Sequence, residues 1–178
     1  MADLTHVDAA GAARMVDVSE KDVSARLARA SGRLRTTPEV VAALRENSLS
    51  KGDALATARI AGIMAAKRTP DLVPLYHPIA ISGVKVELTV TDDGVDIAAR
   101  VKTADRTGVE MEALTAVSVA GLTLVDMVKA LDPAARITDV QVDEKLGGKT
   151  GTWRREPSGE AGAPAAHDEE RSAGSWRR

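Results

Sequence analysis

The sequence has no cysteine and no phenylalanine, and aromatic residues make up only 2% of its 178 positions. Without cysteine there is no disulfide, no thiolate nucleophile, no zinc–thiolate site and no cysteine-ligated iron–sulfur cluster. The shortage of aromatics removes the stacking platforms on which single-strand nucleic-acid binders rely. Charged residues reach 28%, yet the net charge is only −2, so no excess of one sign draws the chain to nucleic acid or to a membrane surface. The opening "MADLTHVDAAG" lacks the basic and apolar regions of a secretory leader, and no apolar run is expected to reach membrane-spanning length. These absences predict a soluble, cytoplasmic protein with neither nucleic acid nor membrane as a partner.

What is present fits one folded unit with a real core. Residues 1–12 and the Gly-, Pro- and charge-rich stretch 157–178 are expected to be flexible ends, leaving a single domain at 13–156. "SEKDVSARLARAS" reads as a helix that starts at Ser19 and stops at Gly32. A short helix opened by Pro38 follows. "KGDALATARIAGIMAAKR" reads as a third, Ala-rich helix with Leu55, Ile63 and Met64 on one side, ended by Thr69-Pro70; its small residues permit close packing. The prolines of "LVPLYHP" force an extended or turn geometry. Then the period changes to two: Val84, Val86, Leu88 and Val90, a "TDDG" turn, then Val95, Ile97, Ala99 and Val101 predict an antiparallel hairpin. A long helix over 110–131, a break at Pro133 and a last strand "ARITDVQVDE" complete the order. That order predicts an α+β fold of the ferredoxin-like kind, an antiparallel sheet with helices on one face.

The long helix carries four charges in an otherwise apolar or small-residue run: Glu110, Glu112, Asp126 and Lys129. Unpaired buried charges are costly, so such groups are paired, neutralised or functional. Asp126 and Lys129 form an i,i+3 pair, and a helix dipole favours Glu110 and Glu112 near its start, so structural roles account for all four as readily as a site does. In a regular helix Glu112 and Asp126 lie about 40° apart around the axis but about 21 Å apart along it. One small-molecule site in one subunit cannot easily use both ends. If all four act, a second chain packed on this helix completes the site, which predicts an oligomer with shared sites.

Three further features stand out. His77, after Tyr76 in the proline-bracketed "PLYHP", is held in a loop, where function tends to collect, although a lone histidine also serves structure. Lys51 precedes a helix start, where a cation is disfavoured unless an anion joins it; a solvated lysine is the plainer reading and a phosphate-binding one the sharper. "DEKLGGKT" ends like a phosphate-binding P-loop, but Asp143 stands where the first Gly is required and no helix-forming segment follows. What remains is a Gly-rich loop with Lys145 and Lys149, suited to folding over an anion or simply mobile. No His/Asp/Glu spacing forms a recognisable metal site, and no Ser-His-Asp order stands out.

Taken together, "LTHVDAAGAARMVDVSEK", "RENSLSKGDALATARIAGIMAAKRTPDLVPLYHP", "RTGVEMEALTAVSVAGLTLVDMVKAL" and "DEKLGGKTG" resemble the cyclic pyranopterin monophosphate synthase family of molybdenum cofactor biosynthesis. The resemblance runs in order over residues 4–153. It implies a ferredoxin-like enzyme, without cofactor, that rearranges a cyclised dihydro-GTP, made by a radical S-adenosylmethionine GTP cyclase, and releases pyrophosphate. It also implies a hexamer built as three dimers, with sites at the dimer interface. Carried over by motif, Lys51, Lys129 and Asp126 are the expected acid/base and electrostatic groups, with Asp126 tuning Lys129. Glu110, Glu112 and His77 would bind the polar edge of the base or relay protons, and Lys145 and Lys149 would clamp the triphosphate. Tyr76 is a departure, standing where many members of the family carry Cys, and it changes the volume beside His77. A purine-nucleotide-binding oligomer without chemistry is the alternative reading. A purely structural assembly protein would leave Lys51, His77 and the Gly-Lys loop without a role.

Overall fold

A computed structural model describes residues 12–149 and 151–156. The ends expected to be flexible fall outside these residues, apart from Ala12. The elements run β1 (Ser24–Arg35), α1 (Pro38–Arg45), α2 (Ala54–Ala66), α3 (Thr69–Leu72), β2 (Ile81–Val90), β3 (Gly94–Asp105), α4 (Glu110–Val128), β4 (Arg136–Leu146) and β5 (Trp153–Arg154). The sheet order is β2-β3-β1-β4-β5, with every neighbouring pair antiparallel. This is the ferredoxin-like α+β arrangement expected from the element order.

The expected helix over 19–32 is instead the central strand. Arg, Ala and Leu are good helix formers, but the buried residues from Ala28 onward recur every second position: Ala28, Ala30, Gly32 and Leu34. That period places one side of β1 in the core, and pairing with β3 and β4 on both edges overrides local propensity. Ser19 is not a helix cap; its N–H donates to the Asp17 carboxylate at 2.8 Å. The hairpin, by contrast, forms as its alternation predicts, with Val84 opposite Val101 and Leu88 opposite Ile97.

Helices α2 and α4 cover one face of the sheet, and small residues set how closely they approach. A Cβ at Gly32 would lie 2.7 Å from Val117 of α4, and one at Gly62 of α2 would lie 2.8 Å from the Ala116 carbonyl oxygen. The buried side of α2 is therefore Ala54, Ala58, Gly62, Ala65 and Ala66. Leu55 and Ile63 pack at the core's margin, but Met64 points outward, 54% exposed, against the expectation that the three share a face. Nor does Thr69-Pro70 only end a helix: α2 closes at Lys67, and Pro70 sits in the first turn of α3, where its missing N–H costs nothing.

Contrary to the expectation of no such run, α4 has the length and mean hydropathy, 1.5, of a membrane span. Its buried residues, Ala113, Ala116, Val117, Ala120, Gly121 and Leu124 among them, face the sheet and α2. It is the core helix of the fold, and its charged ends position the candidate site.

Candidate active site

The C-terminal end of α4 gathers one cluster. Asp126 bridges two lysines, with Lys129 Nζ 2.7 Å from Oδ1 and Lys51 Nζ 2.9 Å from Oδ2. Lys51 also donates to the backbone carbonyl of Asp126 at 2.7 Å. The conflict between Lys51 and the start of α2 is thus resolved. Its ammonium turns to the negative end of α4, where the last carbonyls have no partner within the helix. Asp53 caps α2 instead, accepting from the Ala56 N–H at 2.9 Å. Hydrogen bonds from Lys129 and then Lys51 hold the Asp126 carboxyl well below the usual carboxylate range, at about 2. The triad is open to solvent and presents two fixed cations.

The N-terminal end of α4 gathers a second cluster of different character. Glu112 is only 1% exposed, and it accepts a hydrogen bond from the Tyr76 hydroxyl at 2.8 Å. The same hydroxyl lies 3.0 Å from the Gly108 carbonyl oxygen. Burial pushes the Glu112 carboxyl above its ordinary range despite the Tyr76 bond, and nearby Glu110 adds to the push. Burial also pushes the Tyr76 hydroxyl upward, and Glu112 reinforces it. Tyr76 therefore keeps its proton while Glu112 gains affinity for one. Glu110 Oε1 is 4.0 Å from Lys145 Nζ on β4, so the Gly-rich segment begins beside this cluster.

A cleft of about 560 Å³ opens here, lined by Tyr76, Thr107, Gly108, Glu110, Met111, Val142, Lys145 and Trp153. His77 is half-buried beside Tyr76 in the chain, but it is not part of the lining. Lys149 is exposed and also stands outside the lining. The "LGGKTG" segment turns through left-handed glycines, with φ 88° at Gly147 and 77° at Gly148, and leads into β5. A strand where a P-loop requires a helix agrees with rejecting that motif. Among the described residues no three His, Asp or Glu side chains are placed to hold one metal ion.

Of the nine residues expected at the site, two groups come together: Lys51, Asp126 and Lys129, and Tyr76, Glu110, Glu112 and Lys145. A regular α4 separates Glu112 from Asp126 by about 21 Å along its axis, so the groups stand at opposite ends of one chain. Trp153 lines the cleft although no motif in the sequence singles it out. A signal was there, since it is one of only three aromatic residues and follows the Gly-rich loop directly.

The fold is a ferredoxin-like α+β one, and its two clusters of lysines and carboxyl groups are suited to proton transfer and to holding an anionic ligand. Residues 15–148 match the model of the MoaC family, and the chain belongs to that family. It is 70% identical over 152 residues to the cyclic pyranopterin monophosphate synthase of Streptomyces avermitilis, covering 85% of this chain and 89% of that relative. A relative of the same name from Nocardioides sp. is 66% identical over 155 residues, covering 85% of this chain and 95% of its own length. Cyclic pyranopterin monophosphate synthase 2 of Mycobacterium tuberculosis is 59% identical over 153 residues, covering 86% and 92%.

Proposed function

We propose that the chain is a cyclic pyranopterin monophosphate synthase, a phosphorus–oxygen lyase of molybdenum cofactor biosynthesis that converts a cyclised dihydro-GTP to cyclic pyranopterin monophosphate and pyrophosphate. The observation that carries this reading is the 70% identity to a synthase of that name over nearly its whole length. The family match at 15–148 spans both charged clusters.

The reaction opens a purine-derived ring, closes a new one and forms a cyclic phosphate. In the last event a substrate oxygen attacks the α-phosphorus, the α–β phosphoanhydride bond breaks, and pyrophosphate leaves with the electron pair. Each event moves protons, so positioned acids and bases are the chemistry required. Lys51 and Lys129 serve as the acid/base and electrostatic pair, and Asp126, ionised far below neutral pH, holds their ammonium groups in place. Glu110 lines the cleft and binds the polar edge of the base, while Glu112, buried against Tyr76, is suited to relay a proton. Tyr76 steadies Glu112, and His77, its neighbour in the chain, relays protons. Lys145 and Lys149 hold the triphosphate and offset the charge that develops on departing pyrophosphate.

The two clusters are too far apart in one chain to share a small substrate, so the site is completed across a dimer interface by the partner's other cluster. Three such dimers form a hexamer. The catalytic unit is the domain at 13–156, it works in the cytoplasm, and its substrate comes from a radical S-adenosylmethionine GTP cyclase. The test is incubation of purified protein with the cyclised dihydro-GTP, following pyrophosphate and pterin product together by mass spectrometry. Both products together support the reading. Tight binding with neither product replaces it with a nucleotide-binding module.

A further inference from the structure

The chain's aromatic residues are Tyr76, Trp153 and Trp176, and Trp176 lies outside the described residues. The other two line the same cleft. In a chain this poor in aromatics, two of the three thus meet at one cleft, and Trp153 stands 41% exposed at its wall.

Trp153 is also held in place more firmly than a surface residue needs to be. It pairs with Lys145 across β4 and β5, so the ring and the ammonium stand side by side in the register. Its neighbour Arg154 binds Glu144 at 2.6 Å. Glu144 is a buried carboxylate that also meets Arg29 of the central strand at 3.2 Å. One residue further on, Arg155 donates from its backbone N–H to the Asp143 carbonyl and from Nε to the Val142 carbonyl, both at 2.8 Å. The Arg155 guanidinium lies 5.6 Å from the centre of the Trp153 ring, within cation–π range. A two-residue edge strand is thus anchored at three points around one indole.

We propose that Trp153 is the stacking wall of the site, the flat face against which the fused ring of the nucleotide lies while Lys145 meets its phosphates. This rests on the reading above that the occupant is a guanine-derived nucleotide. An aromatic face recognises a planar ring through its π surface and contributes binding that is present before and during reaction. Losing it therefore raises KM and leaves kcat nearly unchanged.

The experiment uses the full chain with Trp176→Phe, so that Trp153 is the sole indole, and titrates it with GTP while following tryptophan fluorescence. Saturable quenching is expected. Steady-state kinetics on the cyclised dihydro-GTP then compare Trp153→Leu with Trp153→Phe. The leucine variant is expected to raise KM about tenfold with kcat within about twofold, and the phenylalanine variant to recover most of the loss. Far-UV circular dichroism confirms that both variants fold. GTP binding without quenching, or a leucine variant with wild-type KM, overturns the assignment while turnover by the parent protein leaves the synthase reading intact. A parent that binds GTP with quenching but gives no product retains the stacking wall and overturns the synthase reading instead.

Discussion

Mixing two inactive variants is expected to restore activity if the opposite ends of α4 belong to different halves of a shared site. The first variant is Lys51→Ala, which breaks the Asp126 triad. The second is Glu112→Gln, which keeps the shape and the hydrogen bond from Tyr76 but removes the titratable carboxyl at the other end. Alone, each is expected to lose about a hundredfold or more of turnover, the usual contribution of a positioned acid or base. Fourteen residues of regular helix hold Glu112 and Asp126 about 21 Å apart along the axis, which favours a site divided between chains over one within a chain.

The expected recovery follows from counting. In each two-fold dimer, one site takes the lysine triad of the first chain and the Glu112 cluster of the second, and the other site takes the reverse. After complete exchange at equal amounts, half the dimers are mixed, and each mixed dimer has one intact site and one doubly damaged site. Activity is therefore expected to return to about a quarter of wild type. The internal control is Lys51→Ala mixed with Lys129→Ala. Both lysines hold the same Asp126 of the same chain, so no arrangement rebuilds the triad and no recovery is expected. Product is measured by mass spectrometry, and exchange is verified by co-purification of differently tagged chains. Verified exchange without recovery in the first mixture, or recovery in the control, refutes the division of the site.

Other consequences are separately measurable. Lys51→Ala and Lys129→Ala should each abolish turnover while circular dichroism and oligomer size stay unchanged, since both side chains are exposed; near-normal activity in either removes that lysine from the chemistry. Tyr76→Phe leaves buried Glu112 without its donor and should cost about 1–3 kcal/mol in urea unfolding, whereas an unchanged midpoint would mean the bond is replaced by water. Glu112 has a raised folded pKa, so its contribution to stability is fully present below the ordinary carboxylate range and is lost as pH rises through the raised value. Melting temperature should fall across that window in the wild type and stay flatter in Glu112→Gln; equal slopes would contradict the shift. Gly62→Val should cost about 1–3 kcal/mol by forcing α2 away from the Ala116 carbonyl, and a wild-type melting temperature would show that the helix pair can separate freely.

The parts of the fold legible in the sequence are those where pattern and composition agree. The hairpin alternates strictly and its alternating set is mostly β-branched, and Pro38 opens α1 where a proline is best tolerated. In β1 pattern and composition disagree, so the helix expected there gives way to a strand. Its Ala, Arg and Leu favour a helix, and only the period of two at 28–34 betrays the strand. A central strand can be built from poor strand formers because both of its edges are paired, a circumstance no local window contains. The same holds for α2, whose contacts are made by Ala and Gly rather than by its large side chains. Large residues mark a buried face only where there is room for them, and the Gly62 contact leaves none.

The site divides along the same line. Its charged members could be found because charge in an apolar helix needs an explanation, but their partners are set by folding. Nothing within the local sequence joins Lys51 to Asp126, seventy-five positions away, or Tyr76 to Glu112. The two ends of α4 acquire opposite chemistry from opposite degrees of burial. At the exposed end, two lysines make a carboxylate more acidic and keep it ionised. At the buried end, burial outweighs the hydrogen bond from the Tyr76 phenol, a second carboxylate adds to it, and the Glu112 carboxyl becomes less acidic and inclined to hold a proton. An acid that gives up its proton far below neutrality and one that retains it longer form a useful pair only if both face one substrate. A straight helix whose middle is buried against the sheet and α2 cannot bring its own ends together. A second copy of the helix, related by a two-fold axis, can place the exposed end of one chain beside the buried end of the other, so the proposed chemistry predicts a dimer, and the mixing experiment tests it.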